Sequence, residues 1–131
     1  MRYHIDMKDK SGFNVKFYYD KNGNSDIVDF LDKLTAKAKA SKSEGVLLRK
    51  IHRVINVLKQ YGTHAGMPHV KYISGDLWEL RPLPERIFFF YWKDNNFVLL
   101  HHFHKKTNKT PPLEIRQAQE RMKDYIERNG E

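Results

Sequence analysis

The chain has 131 residues and carries 24 Lys and Arg against 16 Asp and Glu, a formal net charge of +8. Its 40% apolar share supports one hydrophobic core, unlike a disordered polybasic tail, and a domain of this size needs no metal or disulfide as a staple. The absence of cysteine excludes disulfides, zinc ribbons and thiol catalysis, and it fits a reducing cytoplasm.

Residues 1–10 are largely polar and contain no apolar run of the kind a secretory signal needs. The longest apolar run, residues 87–92, falls far below the roughly 20 residues of a membrane span. A single domain over residues 1–131 is expected, with nucleic acid, an acidic protein or an anionic surface as partner. Over residues 13–19, Phe13, Val15, Phe17 and Tyr19 alternate with Asn14, Lys16 and Tyr18, which reads as a strand. A turn at residues 20–24 follows. Ser25 then fits a helix N-cap, with Asp26 and Asp29 in the first turn.

Ile27, Phe30, Leu31, Leu34 and Ala38 recur at helical spacing. A second helix beginning near Ser43 and Glu44 shows a stripe of Leu47, Leu48, Ile51, Val54, Ile55 and Leu58, and Gly62 ends it. The short link between them predicts an antiparallel helical hairpin. From Val70 the period returns to two, and residues 70–73, 77–82, 86–93 and 97–103 read as four strands. Their short turns require antiparallel neighbours. Pro111 and Pro112 suit a helix start, and Ile115, Ala118, Met122 and Ile126 mark a last helix in which Asp124 and Arg128 are spaced to pair. The expected architecture is α+β, in the order β-α-α-β-β-β-β-α, with a mostly antiparallel twisted sheet packed against helices.

Alternation in residues 77–82 puts Trp78 and Leu80 on a core face and Glu79 and Arg81 on the other. That second face is either a solvated, salt-bridged surface or a place where a bound polyanion meets Arg81. Lys71, on the preceding strand, joins Arg81 if the two strands pair in suitable register. In the next strand both faces are apolar, as in a central strand covered on both sides, and Arg86 stands at its rim. No acid occurs between Asp94 and Glu114, an interval that holds His101, His102, His104, Lys105, Lys106 and Lys109. A strand running into such a loop makes an electropositive rim suited to phosphates, although charge runs are usually just solvated. His102 and His104 share a face by period two, and imidazole is the side chain suited to exchanging protons near neutral pH. The three histidines lack the spacing of known metal sites, so no metal and no cofactor is expected. No glycine-rich phosphate loop or nucleophile elbow is present.

Leu77-Trp78-Glu79-Leu80-Arg81, Arg86-Ile87, Leu99-Leu100-His101 and Phe103-x-Lys105-Lys106-Thr107-x-Lys109-Thr110-Pro111 together resemble the HigB-like toxins of the RelE/ParE superfamily, specifically its phage-derived, toxin-like group. The resemblance follows the element order over residues 13–126. It implies a cytoplasmic type II toxin in a hetero-oligomer with a cognate antitoxin, usually of helix-turn-helix type, and no membrane partner. Many relatives cut mRNA on the ribosome, the RNA 2′-hydroxyl attacking the adjacent phosphate. In that role Arg81 and Arg86 would grip the scissile phosphate, and Lys105 and Lys106 its neighbours, with Lys71 and Lys109 as further phosphate contacts. The tyrosine or histidine that several relatives place near the C-terminus has no counterpart, because Tyr125 falls deep in the last helix. His102 or His104 is the substitute acid/base by chemistry, not by motif. ParE-like inhibition of gyrase, or binding without catalysis on the same fold, are the alternatives.

Overall fold

The computed structural model of the chain describes residues 12–106 and 108–130; residues 1–10, read above for a signal, and Thr107 of the basic loop lie outside them. Five strands form one sheet: β1 (Asn14–Phe17), β2 (Val70–Ser74), β3 (Leu77–Leu80), β4 (Glu85–Trp92) and β5 (Asn96–His104). Their spatial order is β1-β5-β4-β3-β2. Every neighbouring pair is antiparallel except β1 and β5, which run parallel. The fold is thus the expected α+β arrangement, with a mixed sheet and three helices.

Helix α1 (Asp26–Ala38) is capped by Ser25, whose hydroxyl accepts from the Val28 amide at 3.3 Å. Helix α2 (Lys42–Tyr61) is capped in the same way by Ser41 and begins one residue ahead of the expected Ser43. It ends at Gly62, whose φ of +61° and closeness to the Phe13 ring leave no room for a side chain. A short 3-10 turn over Gly62–Ala65, which no periodic signal announces, leads into β2. Helix α3 (Pro112–Asn129) opens on the two prolines, and Asp124 and Arg128 pair across one turn at 2.8 Å.

The apolar stripes sort into two cores, one on each face of the sheet. Ile27, Leu31, Ile51, Ile55 and Leu58 of α1 and α2 pack on Val15, Leu80, Ile87, Phe89 and Leu99. On the other face, Ala118 of α3, with Ile115, Met122 and Tyr125, covers Leu77, Phe88, Phe90, Val98 and Phe103. Strand β4 is central and covered on both sides, as its continuous apolar run requires. Between Phe88 and Phe89 the β4–β5 register slips: Phe88 faces His101 but Phe89 faces Leu99. The extra residue is a bulge, and it sets which way the three histidines beyond it point.

Candidate active site

Strand β3 ends at Leu80, before Pro82, and β4 resumes at Glu85. Arg81 therefore leaves the sheet at the same end where Arg86 enters it. The Arg81 amide donates to the His69 carbonyl at 2.9 Å, extending the β2–β3 ladder by one step. In register, Lys71 lies opposite Glu79, Glu79 opposite Phe88, and Arg86 opposite Phe103. Glu79, Arg81 and Arg86 thus come together on the face covered by α3.

Of the two readings of the Glu79 and Arg81 face, the salt bridge of the first is present, but at Glu79 the solvation is not. Its side chain is fully buried, at 0% exposure, on a strand flanked by β2 and β4, where it stands between Lys71 and Phe88 in the register. A buried carboxylate needs a partner, and Glu79 has two. Its Oε1 accepts from Arg81 Nη1 at 3.0 Å and lies 3.6 Å from Arg86 Nε. Arg86 also donates through Nη1 to the carbonyls of Pro84 and Glu85, at 3.2 and 3.3 Å. One carboxylate and two carbonyls fix both guanidiniums, whose side chains keep only 14% and 9% exposure. Burial, and next the positive charge of Arg81, lower the proton affinity of Arg86.

Both arginines line an open groove of about 480 Å³ that continues along Leu83, Pro84, Lys105, Lys106 and Asn108. The loop is tied to this rim by the Lys105 amide, which donates to the Pro84 carbonyl at 3.1 Å. The Lys105 ammonium lies below the usual lysine range, through loss of solvation first and the charge of Arg86 second. Lys71, opposite Glu79 in the register, does not line the groove, and its charge lowers the Lys105 proton affinity a little further. Among the described residues no acidic side chain lines the groove; Glu79, buried, and Glu85, paired with His104, are the carboxylates that act on Arg86. Planar guanidinium donors and flexible ammonium groups are together the chemistry that suits an anion.

Four of the eight residues picked from sequence, Arg81, Arg86, Lys105 and Lys106, share this groove, with Lys71 in electrostatic reach. Lys109 is exposed in the loop beyond the lining residues. His102 and His104 lie on the opposite face of the sheet. His102 stacks on Phe30 of α1 with ring centroids 4.3 Å apart, and burial holds its pKa below the ordinary 6.5. His104 is half exposed at the strand end and shares a 2.8 Å hydrogen bond with Glu85. The bulge puts His101 on the arginine face, 2.6 Å from Glu114 of α3 and stacked on Phe88 and Phe103.

Sequence reasoning missed Asn108, whose place in a charged loop hid it, and the joint role of Glu79. Among the described residues no His, Asp and Glu side chains gather as metal ligands do. No helix among them is long and apolar enough to cross a membrane.

The chain is thus an α+β domain in which a buried carboxylate holds two arginines at a basic groove. Residues 29–123, well over half of the chain, match the model of the Gp49-like family of phage-derived proteins (DUF891), and the chain belongs to that family, which is associated with RelE-type, toxin-like proteins. No curated protein matches it.

Proposed function

We propose that the protein is the toxin of a type II toxin–antitoxin pair, a HigB-like endoribonuclease that cuts mRNA on the ribosome. The observation that carries this reading is the Glu79-braced pair Arg81 and Arg86 at the head of a groove whose other charged side chains are lysines. Cleavage by an internal 2′-hydroxyl needs no protein nucleophile. The 2′-oxygen bonds to phosphorus, the P–O5′ bond breaks, and the products are a 2′,3′-cyclic phosphate and a 5′-hydroxyl. The protein has to hold the RNA in line and neutralise the extra charge of the phosphorane. Fixed guanidinium donors do this without reorganising during the reaction.

In this reading Arg81 and Arg86 grip the scissile phosphate, and Lys105 and Lys106 hold adjacent phosphates, with Lys71 and Lys109 adding long-range attraction. The 2′-hydroxyl proton ends on the 5′-oxygen. His104, half exposed one residue before Lys105 but hydrogen-bonded to Glu85 on the other face of the sheet, does not line the groove, so that proton passes through solvent. His102, packed against Phe30, supports that strand end from the other face. The remaining basic surface meets the ribosome and the cognate antitoxin, with which the toxin forms a hetero-oligomer in the cytoplasm.

The test is incubation of the purified protein with translating ribosomes and mapping of RNA ends. New 5′-hydroxyl ends inside codons are expected, reduced at least 100-fold in Arg81→Ala and Arg86→Ala. Growth arrest without such ends, accompanied by loss of DNA supercoiling, would instead mark a ParE-like gyrase inhibitor.

A further inference from the structure

A second groove, of about 240 Å³, lies beside the first and shares Arg81 and Leu83 with it. Its floor and walls are apolar, made by Val54 of α2, Pro68, Pro82 and Leu83. Its polar rim consists of Lys50 and Arg53 from α2 and His69 ahead of β2, and no acidic residue lines it. Lys50 Nζ donates to the Leu83 carbonyl at 3.3 Å, which ties the β3–β4 loop to α2 and keeps the groove formed.

The two grooves differ in chemistry. The larger is lined mainly by charged and amide groups and suits phosphates. The smaller has an apolar bed with cations only at the rim, and its volume falls below the roughly 300–1,000 Å³ of ordinary small-molecule pockets. An apolar bed with a cationic rim suits one planar base whose sugar–phosphate stays at the edge. Arg81 stands between the two, so a single strand laid along both would have one phosphate at Arg81 and the adjacent base on Pro68, Pro82 and Leu83.

We propose that this second groove is a base-binding subsite for the nucleotide next to the phosphate held by Arg81 and Arg86, with Arg53 and Lys50 closing on that nucleotide's outer phosphate. The proposal rests on the RNA reading above and adds to it where the strand runs and which part of a nucleotide each groove takes. Because the apolar bed has few polar groups, the subsite selects for a base more than for which base.

The test is an NMR titration of the intact protein with short RNAs carrying a 2′-deoxy sugar at the central position, each made with either flanking base intact or abasic. Three predictions define the expected result. Amides of His69, Val70 and Leu83 shift with the intact RNA. Removing the base on one side weakens binding about five- to hundredfold. In Arg53→Ala and in Lys50→Ala, both on the exposed face of α2, that base-dependent gain shrinks or disappears while the shifts at Arg86 and Lys105 persist.

If the Arg86 and Lys105 amides respond but abasic and intact RNAs bind equally well, the subsite is overturned and the RNA reading stands. If inorganic polyphosphate shifts His69, Val70 and Leu83 as RNA does, the groove is a plain anion site and the proposal is again overturned. If no RNA perturbs either groove at millimolar concentration, the RNA reading and the subsite fall together.

Discussion

At the scale of single residues, the decisive group is one that cannot itself touch an anion. Glu79 brings its negative charge into an apolar layer and is stabilised there by two guanidiniums. Glu79→Gln keeps the shape and one hydrogen bond but leaves Arg81 and Arg86 facing each other without a countercharge. We expect a loss of about 3 kcal/mol in urea unfolding, at the lower end of the range for breaking a buried pair. Replacing Arg86 by Met as well should recover part of it. Arg81→Lys keeps the charge but loses the planar fork, so cleavage should fall nearly as far as in Arg81→Ala. Recovery to within threefold of the parent rate would show that only the charge matters. Arg81, Arg86, Lys105 and Lys106 were legible because charges stand out against apolar strands. Glu79 was half legible: alternation gave its face, but only the fold shows that its side chain is fully buried beside two arginines. That His102 and His104 share a face was legible from the period of two, but which face was not, because the bulge at Leu100 shifts the alternation ahead of His101.

At the scale of elements, the two faces of the sheet are held differently. The α1 and α2 face rests on a deep core with both helix starts capped by serine. The other face depends on α3, which contributes only Ala118 to the fully buried set. Polar ties supplement it: Tyr18 donates to Asp124 at 2.6 Å, Arg121 donates to the Leu100 carbonyl at 3.0 Å and pairs with Asp26, and Glu114 meets His101. Few buried apolar contacts and exposed ties mark a segment that opens below the global free energy. Native-state hydrogen exchange should find α3 amides opening at lower cost than those of β4 and β5; equal protection would mean that the helix and sheet unfold only as one. By contrast, Ser25→Ala should cost about 1 kcal/mol through loss of the α1 cap. Element type and order were readable from the periods of two and 3.6, and the parallel β1–β5 contact was not. A local pattern identifies a strand, while its neighbour is chosen by surfaces far away in the chain.

At the scale of the whole molecule, charge and burial together set the response to acid. The unfolded chain takes up a proton at His102 near the ordinary 6.5, whereas the folded chain resists it, so stability is full above that value and declines as pH falls below it. His52, lowered by burial, acts in the same sense. Asp26, held below 3.8 chiefly by its hydrogen bond with Arg121, and Asp124, held down chiefly by Arg128, add a second loss as pH falls through their folded values. Two declines in the urea midpoint are expected, one setting in as pH falls below 6.5 and one as it falls below 3.8. His102→Gln should flatten the first and leave the second; an unchanged first decline would assign it elsewhere. The total of +8 pointed to anionic partners, but the site depends on where acids are missing, along the rim from Arg81 to Asn108.

The parallel pairing of β1 with β5 also orders events in time. Asn14 meets Asn96, so the first strand waits for a partner made about 80 residues later. As the chain leaves the ribosome, the helical hairpin can form early from local contacts, but the sheet cannot receive its first strand until β5 emerges. That same late strand runs into Lys105 and Lys106, so the phosphate groove is completed only with it. Synthesis therefore keeps the basic site incomplete for most of the chain's length, and closure of the sheet and assembly of the groove arrive as a single late step.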